Sequence, residues 1–413
     1  MPGRFAERGF LIFLVLGLAA GCARRPVEKV ETREAMNTVV TVRVVAPSNP
    51  IARRALDEAW KEMDECVRLL DCHRPDSHIS QINQSEPPFT VFVHPLVANC
   101  LAAAKEVWEE TGGAFDPTIG PLLELWRKAA EEGKEPEQRN IAEALERVGM
   151  DKVEIEMETM MVARNVTART PQSALPSQEN LLEPAHLVGF TREGMRLDLG
   201  GIAKGCIIGR MVRRMERAGA TAVLVDAGGD VYAAGQRPQS LVPPGGDPRW
   251  LVGVQDPRAP AQSPHEPGRL FTRLHIGDLA VATSGHYYRG FTIAGKRYSH
   301  IIDPRTGWPV STRLASVTVV SPDPAQADGL ATAIEVLGAE EGMKLVVRTE
   351  GVECLLLEWA KEPPSSEPSD DRLLEAPLVE YRSKGFAALE VGSGPTHDCV
   401  PPTSRHAGAP PPP

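Results

Sequence analysis

Two adjacent glycines lie at the centre of the stretch Leu197-Asp198-Leu199-Gly200-Gly201-Ile202-Ala203-Lys204-Gly205. The apolar residues before them are typical of a strand, and the apolar spacing of 202–218 predicts a helix. The first turn of a helix presents unpaired backbone N–H groups with partial positive charge, so this junction is suited to a phosphate, and Lys204 adds a full charge. The stretch is neither a Walker A loop nor a G-x-G-x-x-G motif, and a purely structural turn explains it equally well.

The segments around this junction predict strands and helices that are mixed without strict alternation. This arrangement favours the α+β class, with mixed sheets and packed helices. Asp323 is a good helix N-cap because Pro324 follows it at the first helical position. The predicted strands are 38–45, 153–162, 222–225, 250–254 and 314–320, with a hairpin over 188–199; the predicted helices are 52–70, 95–110, 141–148, 202–218 and 323–337.

The N-terminus has the pattern of a bacterial export signal. Arg4 and Arg8 precede an apolar run, 10–20, that ends in Gly21-Cys22. The run is too short to span a bilayer comfortably and is typical of a secretory signal. The last residues resemble a lipobox, which predicts a signal peptide over 1–22 with lipidation of Cys22; because Ala19 replaces the usual Leu, a plain cleaved signal is the alternative. We therefore expect a membrane-anchored lipoprotein of the bacterial cell envelope, facing the periplasm or the exterior.

Composition predicts the remaining segment boundaries and excludes some classes of binding partner. Residues 23–35 are predicted to be a tether, 36–362 the main folded domain with Pro-rich insertions near 165–185 and 236–270, and 363–413 a disordered tail. The 413 residues carry a formal net charge of -10, which argues against nucleic-acid binding. An anionic ligand would therefore need a local device, such as a metal or a few placed cations. The cysteines after Cys22 form no C-x-x-C pair, so no particular disulfide is predicted and free or buried thiols are favoured.

Four further motifs could carry chemistry, and each also has a structural explanation. In the loop 111–121, Gly-Gly lets the backbone approach a ligand and Phe115 could stack on a planar ring; a tight helix-ending loop with a packed Phe is the alternative. The segment 226–230 (Asp-Ala-Gly-Gly-Asp) is best explained as strand, turn and strand. The segment 282–285, followed by 297–307, places a histidine near an aspartate, which suits acid–base catalysis but also fits a hairpin and turn. In 327–333, Asp328 and Thr332 share one helix face, where two oxygen donors suit Mg²⁺; a helix-dipole role for the aspartate is the alternative.

Taken together and in this order, the motifs resemble those of the FAD:protein FMN transferase family, the ApbE-type flavin transferases once assigned to thiamine biosynthesis. The resemblance extends from about Met36 to about Trp359. It implies a T-fold-like flavin transferase architecture. The matching segments are 74–77 with 82–83, 113–116, 198–205, 299–307 and 327–332.

The resemblance implies a function and a set of site residues. Members of this family use Mg²⁺ to transfer FMN from FAD to a Ser or Thr hydroxyl of a target protein, with release of AMP. The expected acceptor is an exported or membrane redox protein. The implied metal ligands are Asp328, Thr332 and the backbone carbonyl of Gly201, and the implied catalytic base is His300. The residues that match FAD-binding positions are Met36, His73, Ala114, Phe115, Asp116, Asp198, Lys204, His300 and Ile302.

Three positions depart from the family pattern. His73 stands where an aromatic residue is usual, Cys206 replaces a common Tyr, and Gly329 replaces a common Ala in the metal-binding helix at a cost of about 1 kcal/mol in helix propensity. Two alternative functions use the same residues. One is an FAD pyrophosphatase that releases free FMN and AMP, and the other is a flavin-binding lipoprotein without turnover.

Overall fold

The computed structural model describes most of the chain outside the two termini. The predicted signal peptide, Cys22, and residues 165–184 of the predicted insertion lie outside the described residues. Among the helices that the structure describes, none is both long enough and apolar enough to cross a bilayer. The described residues are 25–158, 185–259, 268–285, 290–361 and 371–391.

An antiparallel sheet of eight strands organises the described chain. Strands β2 and β6 alternate their buried side chains between the two faces, so each contributes to two separate hydrophobic clusters. In spatial order the strands are β1 (Val27–Ala35), β2 (Thr38–Ala46), β6 (Ala222–Ala227), β7 (Asp230–Ala234), β10 (Leu279–Ser284), β13 (Leu314–Ser321), β14 (Glu353–Trp359) and β15 (Leu378–Arg382).

Three smaller antiparallel sheets flank this one. The hairpin of β8 and β9 covers one face of the main sheet, where Trp250 and Leu274 join the second hydrophobic cluster. The strands of the smaller sheets are β3 (Thr90–Val93), β5 (Ala185–Phe190) and β4 (Val153–Glu158); β8 (Trp250–Gln255) and β9 (Leu270–Ile276); and β11 (Gly290–Ile293) and β12 (Lys296–Ser299).

Helices cover the opposite face of the main sheet. The amphipathic helices α1 and α6 and the mostly buried α7 pack on it and on one another, and α3 packs against α7. This mixture of antiparallel sheets and packed helices confirms the predicted α+β class. The α-helices in the described residues are α1 (Asn49–Leu70), α2 (His78–Gln84), α3 (Pro95–Glu110), α4 (Gly120–Glu132), α5 (Gln138–Leu145), α6 (Ala203–Arg217) and α7 (Pro324–Arg348).

The predicted tether is wrong for most of its length. Residues 27–35 form β1, which pairs with β2 along its whole length, from Val27 opposite Ala46 to Ala35 opposite Thr38. Its polar side chains contact α1, since Glu31 accepts a hydrogen bond from the indole of Trp60. An edge strand needs few apolar residues because one of its sides faces solvent, and this explains why the composition of β1 resembles a linker.

The predicted disordered tail is also wrong in part. Residues 371–391 include β15, which pairs with β14, and the side chain of Phe386 is fully buried. This segment therefore completes the main sheet at its second edge. The remainder of the predicted tail, 363–370 and 392–413, lies outside the described residues.

The predicted hairpin over 188–199 does not form. Strand β5 pairs with β3 and β4 instead, and the chain after the 192–194 turn passes beside the loop that precedes α4. There Arg196 makes an isolated bridge to Ile119, and the Asp198 N–H donates to the Pro117 carbonyl at 2.7 Å. This correction brings Asp198 to the 111–121 loop.

The helix predicted to end at residue 337 ends there at a kink, and a second helix continues to Arg348. Gly338 adopts non-helical dihedral angles, φ 78° and ψ 177°, so the segment consists of two helices joined at a kink. The N-cap prediction is confirmed, because the Asp323 carboxylate accepts hydrogen bonds from the N–H groups of Ala325 and Gln326. The first half of α7 carries the predicted metal ligands.

Candidate functional site

The first turns of α6 and α7 cross in backbone contact. A Cβ on Gly205 would lie 2.1 Å from the carbonyl oxygen of Pro324, so only glycine fits at this crossing. The close approach allows the Gly205 N–H to donate to the Asp328 carboxylate at 3.0 Å. The Gly205 N–H, one of the helix N–H groups predicted to be available to a phosphate, is therefore hydrogen-bonded to Asp328.

Asp328 is buried, with only 5% of its surface exposed. Burial raises the pKa of its carboxyl, while the charge of Lys204 and the hydrogen bond from Gly205 act in the opposite direction. A carboxylate in this position is incompletely compensated, and a bound cation would stabilise its charged form.

Thr332 lies one turn further along α7 and faces Gly201. Its hydroxyl donates to the backbone carbonyl of Asp328 at 3.4 Å. A Cβ on Gly201 would lie 3.0 Å from the Thr332 Oγ1 and 3.2 Å from the ring of Phe115. The structure therefore brings the three predicted metal-binding residues and Phe115 to one place.

These residues fit a hard cation rather than a soft one. In the described part of the chain, no group of three or more His, Cys, Asp or Glu side chains could hold a metal ion. The available donors are one carboxylate, one hydroxyl and one backbone carbonyl, all of which are oxygen. Mg²⁺ prefers oxygen donors and takes its remaining ligands from water or from substrate phosphates, so the set is suited to Mg²⁺ with a phosphorylated ligand.

Gly329 is better suited to its position than the sequence indicated. A Cβ there would lie 2.9 Å from a methyl group of Val107, so alanine would push α7 away from α3. Glycine lowers the helix propensity at this position, but it allows α3 and α7 to pack closely.

Lys204 pairs with Asp230, a residue to which sequence reasoning gave no functional role. The side chain of Asp230 is 3% exposed and that of Lys204 is 32% exposed, so a buried carboxylate holds a partly exposed lysine. The prediction of strand, turn and strand for 226–230 is confirmed by β6 and β7. No local pattern links Asp230 to Lys204, because the two lie far apart along the chain.

A second, half-buried acid, Asp226, interacts with the same lysine. Burial raises the pKa of Asp226, and the charge of Lys204 acts against this shift. The Asp226 carboxylate accepts a hydrogen bond from the Gly229 N–H at 3.0 Å and so holds the β6–β7 turn. The charge of Lys204 therefore acts on three carboxylates, those of Asp226, Asp230 and Asp328.

Asp198 and His73 line an open cleft. The cleft has a volume of about 540 Å³. Asp198 accepts a hydrogen bond from the Gly200 N–H at 2.8 Å, and its other carboxylate oxygen lies 3.9 Å from the sulfur of Cys72. His73 is exposed at the rim. The cleft therefore joins two predicted FAD-binding residues from separate parts of the chain.

Asn83 fixes the strand-like segment that carries Asp198. Its amide donates to the Leu197 carbonyl at 2.9 Å and accepts from the Leu197 N–H at 2.6 Å. These two bonds replace those of a neighbouring strand. Asn83 belongs to one of the motifs that match the family, but the sequence predicted no role for it. The two hydrogen bonds to Leu197 make it a positioning residue.

The predicted residues Ala114, Phe115 and Asp116 are buried in the loop before α4. The Asp116 carboxylate accepts hydrogen bonds from the Thr118 N–H, at 2.8 Å, and from the Thr118 hydroxyl. Burial raises the pKa of Asp116, and these hydrogen bonds oppose the shift. In this structure Asp116 therefore stabilises the loop, and Phe115 extends from it towards Gly201.

Met36 lies at the turn between β1 and β2. Both Met36 and Asn37 have positive φ angles, 53° and 56°, as a tight hairpin turn requires. The turn lies beside the β6–β7 turn, since a Cβ on Gly228 would overlap the side chain of Thr38. Met36 is thus at the same end of the main sheet as Asp230.

His300 and Ile302 lie on the segment that follows β12. His300 is exposed, whereas Ile302 is buried against α4. Trp126 of α4 holds this segment through a hydrogen bond from its indole N–H to the Gly307 carbonyl at 2.8 Å. The segment approaches the other site residues through the 111–121 loop, where Gly113 lies next to the Arg305 side chain.

Known proteins are similar to this chain over most of its length. Residues 36–356 match the model of the ApbE family. The FAD:protein FMN transferase of Treponema pallidum is 30% identical over 387 residues, which cover 91% of this chain and 97% of that protein. Each of these matches spans most of the described site.

Solved structures show the same fold. The ApbE protein of Thermotoga maritima is 27% identical with a TM-score of 0.63, covering 88% of this chain and 100% of its own. The flavinyl transferase ApbE of Pseudomonas stutzeri, in its apo form, has a TM-score of 0.64 at 23% identity, covering 88% and 97%. The predicted flavin transferase architecture is therefore confirmed, and the chain belongs to the ApbE family, the family of the FAD:protein FMN transferases.

Proposed function

We propose that this chain transfers FMN from FAD to a Ser or Thr hydroxyl of an acceptor protein, in a reaction that depends on Mg²⁺ and releases AMP. The new bond is a phosphoester between the FMN phosphate and the hydroxyl oxygen, and the bond broken is the pyrophosphate linkage of FAD. The observation that carries the proposal is the buried Asp328 carboxylate, held by Gly205 beside Gly201 and Thr332.

The charge of the site supports this reaction in an acidic protein. A pyrophosphate would meet the ammonium of Lys204 and a cation held by Asp328, Thr332 and the Gly201 carbonyl. Mg²⁺, when bound, would neutralise charge on the pyrophosphate and stabilise the departing AMP. The ion pair with Asp230 would orient the Lys204 ammonium towards the same place.

The acceptor hydroxyl requires a base because it is a weak nucleophile at neutral pH. His300 is the proposed base, since its imidazole is exposed and can be reached by the side chain of another protein. Histidine is a common general base in enzymes that act at physiological pH. In this role His300 removes the proton from the hydroxyl as its oxygen attacks phosphorus.

The proposed FAD contacts come from several separate segments of the chain. Phe115 and Met36 would supply apolar contacts, and Asp116 and Asp198 would supply polar ones. The cleft of about 540 Å³ beside Asp198 and His73 is large enough for part of a dinucleotide. Ala114 and Ile302 would support this surface from within the fold.

We also propose that the chain is exported and tethered to a membrane through a lipid on Cys22. Because β1 begins at Val27, only residues 23–26 would remain as a linker. A lipid anchor would then hold the edge of the main sheet close to the membrane surface. Substitution Cys22→Ser in a cell that processes lipoproteins should release the protein from the membrane fraction, and retention of the variant would contradict the anchor.

Incubation with FAD, Mg²⁺ and a candidate acceptor domain tests the proposed reaction. FMN bound covalently to the acceptor, detected by mass spectrometry, is the expected product. Free FMN with AMP would instead indicate an FAD pyrophosphatase, and unchanged FAD would indicate a binding protein. An acceptor whose candidate Ser or Thr is replaced by Ala is the matched control, since it should remain unmodified.

A further inference from the structure

Two cysteines meet beneath the metal-binding residues. Cys100 lies on α3 and Cys206 lies in the first turns of α6, 106 positions later in the chain. Their sulfur atoms are 2.8 Å apart. This separation is shorter than the roughly 3.5 Å at which non-bonded heavy atoms pack best. It is also within about 1 Å of the length of a disulfide bond.

The other described cysteines have different neighbours. The sulfur of Cys354 lies 3.4 Å from the sulfur of Met343, and that of Cys72 lies 3.9 Å from Asp198. Cys66 is buried near Cys100, close enough for their charges to interact. Cys66 is therefore the competing partner for Cys100, and any test has to distinguish the two pairings.

The position of Cys206 connects this pair to the site. Cys206 follows Lys204 and Gly205 directly, so its backbone belongs to the turn that presents the ammonium group and the N–H bonded to Asp328. The contact with Cys100, burial and the negative charge of Asp328 all raise the pKa of the Cys206 thiol. A bond at this sulfur would fix the turn against α3.

We propose that Cys100 and Cys206 form a disulfide bond that ties α3 to the first turns of α6, below the residues that hold Asp328. This bond is independent of the proposed transfer of FMN. It closes a long loop, and a long loop loses more conformational freedom in the unfolded state when it is cross-linked. The bond therefore stabilises the fold in which α6 and α7 cross.

The oxidant is a small disulfide compound, which reacts by thiol–disulfide exchange. The thiolate of one cysteine attacks a sulfur of the oxidant, forming a mixed disulfide and releasing the first reduced thiol. The thiolate of the second cysteine then attacks the protein sulfur of the mixed disulfide and releases the second reduced thiol. The protein loses two protons and two electrons, and the two sulfur atoms of the oxidant gain them.

Refolding of the full chain in a glutathione redox buffer, followed by alkylation and peptide mapping without reductant, tests the proposal. Refolding removes the protection that burial gives to the thiols. The expected result is a peptide pair linked through Cys100 and Cys206, about 2 Da lighter than its reduced components, with Cys66, Cys72 and Cys354 alkylated. Complete alkylation, glutathione adducts alone or a Cys66–Cys100 link would each overturn the proposal.

Thermal unfolding of serine variants gives a second test that does not depend on mapping. Under oxidising conditions, Cys100→Ser and Cys206→Ser should each lower the Tm. The Tm of the double variant should be at least as high as that of the less stable single variant. Because both substitutions remove the same bond, their effects are not additive. With a reductant present these differences should shrink, while Cys66→Ser, the matched control, should respond equally in both conditions. Additive losses that persist in reductant would contradict the bond.

Discussion

Replacing Gly205 with alanine should separate the first turns of α6 and α7 and disable the site between them. The added methyl carbon would lie 2.1 Å from the Pro324 carbonyl oxygen and 2.8 Å from the Ala325 Cα. Both are backbone atoms, so neither can rotate away. Carbon–oxygen contacts are normally about 3.3 Å or longer, and the helices would therefore have to move apart by about 1 Å.

The size of the effect follows from three contributions. Alanine improves helix propensity by about 1 kcal/mol, overpacking costs about 1–3 kcal/mol, and loss of a hydrogen bond to a charged group costs about 1.5–3 kcal/mol. The hydrogen bond at risk is the one from the Gly205 N–H to Asp328, 3.0 Å long. We expect the free energy of unfolding to fall by about 2–5 kcal/mol.

Denaturation in urea measures this change, and Gly209→Ala is the matched control. Gly209 lies one turn along the same helix, and a Cβ there would meet a ring carbon of the Pro324 side chain at 2.8 Å rather than backbone. That ring can shift, so the control should cost less than about 1 kcal/mol. Gly205→Ala should also lose Mg²⁺-dependent consumption of FAD under conditions where it is still folded. A Gly205→Ala protein as stable and active as the parent would refute the reasoning about this crossing.

Three further predictions concern single residues. His300→Ala should retain much of the FAD binding but lose transfer to the acceptor, as measured by equilibrium binding and acceptor mass. Asp230→Asn should leave the Lys204 ammonium without its carboxylate partner and reduce kcat/KM for FAD by about tenfold, since a charged hydrogen bond contributes about 1.5 kcal/mol or more. His78 is fully buried, and burial lowers its pKa to about 4. Because the unfolded chain then binds a proton that the folded chain does not, stability should fall as the pH falls from about 6.5 to about 4, by up to roughly 3 kcal/mol.

Each of these predictions has a control. If His300→Ala bound FAD poorly but had normal turnover at saturating FAD, His300 would not be the base. Asp226→Asn should affect kcat/KM less than Asp230→Asn, and equal effects would show that the ion pair has no special role. The Nδ1 of His78 accepts a hydrogen bond from the backbone N–H of His94 at 3.0 Å. The side-chain amide oxygen of an asparagine at position 78 can accept the same hydrogen bond. His78→Asn should therefore flatten the pH profile, and an unchanged profile would assign the titration to another group.

The sequence predicted the elements with strong local patterns. The bounds of α3 agree at both ends, and β2, β6, β8 and β13 lie where β-branched or apolar runs indicated. The two edge strands of the main sheet, β1 and β15, were not predicted. Both are rich in polar residues and form by pairing with neighbouring strands of the sheet. Their formation is a tertiary effect that composition does not reveal.

The candidate site was predictable where its residues share a local motif. Asp328 and Thr332 are one helical turn apart, and periodicity alone places them on one face. Asp230 and Asn83 were missed because their partners, Lys204 and Leu197, lie on other elements, in the second case 114 positions away. Backbone crossings such as that of Gly205 with Pro324 likewise appear only when the helices are assembled.

The stoichiometry of AMP release and covalent FMN is the decisive test of the proposed transfer of FMN to an acceptor protein. Both products are measured in one reaction that contains FAD, Mg²⁺ and an acceptor domain, with the parent protein and with Asp328→Ala. The account predicts one AMP released for each FMN bound to the acceptor, and neither product when Asp328 is replaced or the metal is chelated. AMP released in large excess over bound FMN, or full activity of the Asp328→Ala protein, would contradict it.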